Sequence, residues 1–135
     1  MKNLLAWTFI VPGTLALGYF IESTTKRKVL HLMAGRQAYT PQQFGEHFFP
    51  AEQAEVAARF RTLLSAHVPV DMTRLDPDDR LVQDLGIGQR DGLDTVALIQ
   101  DAEREFGTSI PDVEAEKLLT VRQFVSYLAR TRETA

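Results

Sequence analysis

From Leu4 to Ile21 the chain reads LLAWTFIVPGTLALGYFI, eighteen residues without a charge. As a helix this run would span about 27 Å, close to the ~30 Å hydrocarbon core of a bilayer. The stretch from Ala38 to Val68 then takes on helical spacing. Thr40, Pro41 and Gln43 form a helix start, with a capping-box pair and a proline in the first turn. Phe44 and Phe48, four apart, share one face. Pro50 restarts the chain, and Ala54, Val56, Ala57, Phe60, Leu63 and Leu64 predict a second helix over roughly Ala51 to His67. Pro69 to Arg90 has no period and reads as a long loop. Leu93 to Phe106 predicts a helix with its stripe at Thr95/Val96, Ile99, Ala102 and Phe106. Gly107 and Pro111 break it, and a short turn follows over Val113–Lys117. Thr120 and Gln123 repeat the capping-box spacing and open a last helix to about Arg130, with a stripe at Val121, Phe124, Val125 and Leu128.

These elements predict an all-α protein: from Ala51 onward a small bundle of three longer helices plus one short one, preceded by an N-terminal hydrophobic helix. The chain divides into residues 1–25, an anchor helix, 26–50, a basic juxtamembrane linker with a short helix, and 51–135, the bundle. For residues 4–21 three readings stand: a single membrane span, a cleaved signal peptide with a small-x-small site at Ala16–Gly18, and a helix buried in a soluble core. The span is favoured by Trp7 and Tyr19 near its ends and by Lys26, Arg27 and Lys28 directly after it. That cluster, with Arg36 beyond it, places the C-terminal domain in the cytoplasm, since only Lys2 and the amino terminus precede the run. Pro12 and Gly13 in mid-segment are better tolerated in lipid than in water.

Charge sharpens the picture. The net charge of −3 divides into +3 over residues 1–67 and −6 over residues 68–135. An acidic C-terminal half excludes nucleic acid as its partner and suits a protein with a basic surface. The absence of cysteine removes disulfides, thiolate metal sites and cysteine nucleophiles.

Candidate chemistry is thin. Asp76, Asp78 and Asp79 lack the alternating spacing and closing glutamate of a calcium loop and read as a solvated turn. His31, His47 and His67 have no metal-ligand spacing. The glycines Gly86, Gly88 and Gly92 do not follow a phosphate-loop pattern, and no lysine accompanies them. No metal ligands, catalytic residues or cofactor are assigned, and the chain is expected not to be an enzyme. Phe44, Phe48 and Phe49 read as packing residues, with a docking patch as the alternative.

The segment DGLDTVALIQDAEREFGTSIPDVEAEKLLTVRQFVSYL resembles the acyl carrier proteins of fatty acid synthesis. Their pattern D-S-L-D-T-V-x-L, E-x-E-F, I-P-D-x-E-A-E-K and T-V is matched at Asp91, Leu93 to Val96 and Leu98. It is matched again at Glu103, Glu105, Phe106, Ile110 to Asp112, Glu114 to Lys117, Thr120 and Val121. The upstream DLG at Asp84–Gly86 is shared, no gap is needed from Asp91 to Leu128, and the resemblance covers roughly residues 52–130. It implies a carrier-type helical fold.

Two departures matter. In the family a serine stands where this chain has Gly92, and its hydroxyl takes the 4′-phosphopantetheine arm. Glycine has no side-chain oxygen to esterify. The family also places two residues between DLG and that serine, where this chain has five, Ile87 to Asp91. The acids Asp91 and Asp94 still suit the positive end of a helix dipole. The resemblance therefore implies a scaffold without the prosthetic group, docking a basic partner through Asp91, Asp94, Asp101, Glu103 and Glu105. Candidate partners are an acyltransferase, a lipid-synthesis enzyme or a membrane complex. The alternatives are a carrier with an unconventional attachment site, and a soluble lipid-binding or structural helical protein.

Overall fold

The computed structural model describes residues 26–88 and 93–134. The expected anchor over residues 4–21 lies outside them. Among the described residues six helices follow in order: α1, helical from the first described residue, 26, to 33; α2, Pro41–Phe48; α3, Ala54–Leu64; α4, Leu93–Phe106; α5, Asp112–Ala115; and α6, Val121–Thr134. Among the described residues there is no strand, only one isolated antiparallel bridge between Arg80 and Thr120. No described helix is long and apolar enough to cross a membrane.

Both capping boxes form. Thr40 Oγ1 accepts from the Gln43 backbone N–H at 3.1 Å, and Gln43 Oε1 accepts from the Thr40 N–H at 3.0 Å. Thr120 and Gln123 do the same at 3.2 and 3.0 Å, which fixes the start of α6. α3 is shorter than the apolar spacing predicts. Gln53 supplies no side-chain cap, so the chain enters through tight turns: the Gln53 N–H donates to Pro50 O, and the Ala54 N–H to Ala51 O. It leaves the same way, through Ala66 to Leu63 and His67 to Leu64. Such i→i+3 closures at helix ends satisfy groups that α-geometry leaves open.

The core is continuous across the expected boundary at residue 51. Val29 and Met33 of α1, Phe44 of α2 and Phe49 belong to the same buried cluster as Phe60, Leu64, Leu98, Phe124, Val125 and Leu128. At its centre the rings of Phe60 and Phe124 stack, with centroids 4.6 Å apart. α2 lies so close to α3 that a Cβ on Gly45 would stand 2.2 Å from the Ala54 carbonyl oxygen. Only glycine permits that approach. Phe44 and Phe49 are buried and Phe48 half-buried, so the aromatic group packs inward. The stripe predicted for α6, Val121, Phe124, Val125 and Leu128, is wholly buried.

Two expectations are corrected. The stripe of α4 that faces the core is Leu98, Ala102 and Phe106; Val96 is 51% exposed and Thr95 is exposed. Leu98, Ala102 and Phe106 recur every four residues and define their own face; Ile99 packs against its edge, and Thr95 and Val96 lie beside it. The second concerns Asp79, in the loop after α3, which belongs to the body of the fold. That loop buries Val68, Met72, Leu75, Leu81, Leu85 and Ile87. Its backbone is tied to the start of α6 by Leu81 N–H to Leu119 O at 3.0 Å, Val121 N–H to Asp79 O at 3.1 Å and Arg122 N–H to Pro77 O at 2.7 Å. Asp79, expected in a solvated turn, is 3% exposed. A carboxylate buried that far needs a cation, and Arg36 supplies it at 2.8 Å. Asp76 and Asp78 remain in the turn, where Asp76 Oδ1 accepts from the Asp78 N–H and Asp78 pairs with Arg122.

Candidate partner-docking surface

α4 carries most of the acids that the sequence singles out. At 3.6 residues per turn, Asp94, Asp101 and Glu105 fall on one flank of it and Glu103 on the other. The contacts follow that division. Asp101 Oδ2 lies 2.7 Å from His67 Nε2, just beyond α3, and its other oxygen pairs with Arg104. Glu105 Oε1 accepts from Arg59 of α3, with Nη2 at 2.9 Å. The same guanidinium donates to the Glu105 carbonyl oxygen at 2.8 Å and lies over the Phe106 ring, 4.7 Å from its centroid. Glu103 Oε2 accepts from the Ile110 N–H at 2.9 Å, holding the turn after Gly107. Asp94 sits half-buried in the first turn. Asp91 and Gly92 lie outside the described residues.

The four described acids therefore do not make one open acidic face. Asp101 and Glu105 join α4 to α3, and Glu103 pins the segment that leads to α5. The partners on α3 and beyond it, Arg59 and His67, are distant in sequence, so periodicity alone gives no sign of them.

What does lie open is the flank of α4 turned toward α5. Val96, Ile99 and Gln100 face Ile110, Asp112 and Glu116 across a cleft of about 530 Å³. Beyond it Val113 is 66% exposed and Leu119 56% exposed. Sequence reading misses this rim, because it assigns Val96 to the core stripe and leaves α5 without a role. Val113 is the available signal: it is an apolar residue in a helix of four residues that buries none of them.

The loop ahead of α4 is seated on it. Ile87 is 2% exposed and its N–H donates to Leu81 O at 3.0 Å. Gly88 has φ +83°, and a Cβ there would stand 2.4 Å from Thr95 Oγ1. The first two residues of the lengthened Ile87–Asp91 stretch are thus placed, one in the core and one against the first turn of α4. The histidines are scattered: His31 is exposed, His47 stacks on Tyr39 with centroids 4.8 Å apart, and His67 meets Asp101. Among the described residues no group of three His, Asp or Glu side chains is placed to hold a metal ion.

Over 80 residues, 59% of its length, the chain is 34% identical to the acyl carrier protein of Thermotoga maritima, and the match covers 95% of that protein. The chain belongs to the acyl carrier protein family. No family model matches it. The match takes in nearly the whole of that carrier protein, so the remainder of this chain has no counterpart in it. Against the carrier pattern, position 92 of this family member offers only a backbone. The nearest following hydroxyl is that of Thr95, set one turn along on an exposed face of α4.

Proposed function

We propose that the chain is an acyl-carrier-like interaction subunit that carries no acyl group, is tethered to the cytoplasmic face of a membrane through residues 4–21, and acts by docking a partner protein. The observation that carries this reading is Gly92. Attachment of a phosphopantetheine arm needs a side-chain oxygen where the family's serine stands, and glycine has none. The reading assigns no catalytic step to the chain.

The docking surface is the α4–α5 flank with the acids at its edges. The cleft acids Asp112 and Glu116 supply charge, with Asp94 on the neighbouring flank of α4, and Val96 and Val113 supply apolar contact. Asp101, Glu103 and Glu105 support this surface by fixing α4 and the α5 approach in place. Exposed charge pairs are each worth only ~0.2–1 kcal/mol, so the apolar residues must contribute to any stable complex. The partner is a protein with a basic patch, such as a lipid-synthesis enzyme or a subunit of a membrane complex.

Intact mass after incubation with a phosphopantetheinyl transferase and coenzyme A tests the central point. Unchanged mass is expected. A gain of one phosphopantetheine would establish a genuine carrier with an unconventional attachment site. Carbonate and high-salt washing of membranes tests the tether: retention in the pellet is expected, and full release would leave a soluble helical protein.

A further inference from the structure

We infer that the outward face of α1 rests on anionic phospholipid headgroups, so that the bundle sits on the bilayer surface and does not swing on a linker. This deepens the tether reading above and rests on it.

The first support is how α1 is fixed. Val29 is 0% and Met33 3% exposed within the common core, and Arg36, just beyond α1, is clamped on Asp79. Residues 26–33 are therefore part of the body, although the sequence reads them as a spacer. The second support is reach. Five peptide steps separate Ile21 from Lys26, and even fully extended they cover at most about 18 Å. A domain of this size has a radius of gyration of about 13 Å, so the tether is shorter than the body is wide. With Ile21 at the edge of the hydrocarbon, the start of α1 stays within about 18 Å of it, so the bundle is held beside the headgroups.

The third support is which face that is. With Val29 and Met33 turned inward, the helical period turns Arg27, Lys28, Leu30 and His31 outward. All four are exposed, Leu30 to 49%. Lys26 is exposed beside them, and residues 26–33 contain no acid. A basic face with one exposed leucine is the composition that binds an anionic interface, with cations at the headgroups and the apolar side chain dipping beneath them. No other described face combines that charge with a covalent tie to the uncharged run.

The chain has no cysteine, so Leu30→Cys in the full-length protein gives one labelling site. The protein is reconstituted into vesicles of phosphatidylcholine alone and of phosphatidylcholine with phosphatidylglycerol, each containing headgroup-nitroxide lipid. A fluorophore at position 30 should be quenched strongly in the anionic vesicles and less in the uncharged ones. Arg27→Glu with Lys28→Glu should abolish the difference; Arg27→Gln with Lys28→Gln, a milder change, should reduce it. Circular dichroism checks that each variant is folded. Flotation separates the two readings. Failure to float with either vesicle sinks the tether and this inference with it. Flotation with equal quenching in both lipids, or quenching untouched by the charge reversal, overturns the inference and leaves the tether standing.

Discussion

Arg36 and Asp79 meet through two parallel contacts, Nη1 to Oδ2 at 2.8 Å and Nη2 to Oδ1 at 2.9 Å. The carboxylate is nearly enclosed, and the hydrogen bond to it holds the Arg36 guanidinium above its ordinary pKa despite partial burial. Asp79 Oδ2 also accepts from the Asp76 N–H at 3.0 Å, and the guanidinium donates to Arg74 O at 3.3 Å. One ion pair thus joins the end of α1 to the loop between α3 and α4. Arg36→Met, which leaves a buried carboxylate without its cation, should cost about 3 kcal/mol. Adding Asp79→Leu should recover much of that. Urea unfolding of the two single variants and the double variant checks this; additive losses would show that the two side chains do not act as a pair.

Gly45→Ala should destabilise by about 1–3 kcal/mol. The new methyl meets the Ala54 backbone oxygen, which no side-chain rotation can move aside. The same substitution in an open helix would stabilise, so the sign of the change in thermal midpoint tests the closeness of α2 and α3.

Asp84 is held below its ordinary pKa, first by hydrogen bonding from the Arg80 side chain, whose Nε and Nη2 each lie 3.1 Å from a carboxylate oxygen. A group depressed in the folded state stabilises fully above its unfolded value, near 3.9. That contribution disappears as the pH falls through the folded value. Wild type should therefore lose stability relative to Asp84→Asn below about pH 4.5. Unfolding curves across that range, run on both proteins, should converge toward low pH; parallel curves would remove Asp84 from the acid response.

Gly92→Ser restores the missing hydroxyl. Wild type should show no mass increase with transferase and coenzyme A, and the serine variant should gain one phosphopantetheine. A variant that stays unmodified would shift the cause from the absent oxygen to the lengthened loop before it.

Partner capture should separate the two flanks of α4. Val96→Asp, on the α5 side, should reduce partner recovery and leave the melting temperature within a few degrees of wild type. Glu105→Lys, on the α3 side, should lower stability by ~0.2–1 kcal/mol through loss of the Arg59 pair and reduce recovery less than Val96→Asp does. The opposite pattern would move the docking face to α3.

The parts of the fold that local signals control were legible in the sequence. The bounds of α4 and the two capping boxes depend on residues a few positions apart, and the buried stripe of α6 follows one clean period. Long-range contacts were not legible. Asp79 reads as solvated because its cation lies 43 residues away, and Glu105 reads as free because Arg59 lies 46 away. The core of the long loop was hidden for another reason: Val68, Met72, Leu75, Leu81, Leu85 and Ile87 follow neither a helical nor a strand period. Thr95 and Val96 were drawn into the α4 stripe because an apolar or small residue beside a real stripe has the same spacing as one within it. Of the candidate site, the acids of α4 were visible in sequence, but the cleft between α4 and α5, where apolar and acidic side chains meet, was not.

The way α2 lies on α3 decides where this polypeptide can be cut. Arg61 is 4% exposed; it donates to the Tyr39 carbonyl oxygen at 2.6 Å and lies 5.6 Å from the Phe44 ring centroid. A recombinant fragment beginning at residue 51 would strip away that acceptor and that ring together, and would uncover Ala54 where Gly45 lies against it. The shortest self-sufficient version of this protein accordingly starts no later than Lys26, well ahead of where a cut at the bundle's expected first residue, 51, would fall.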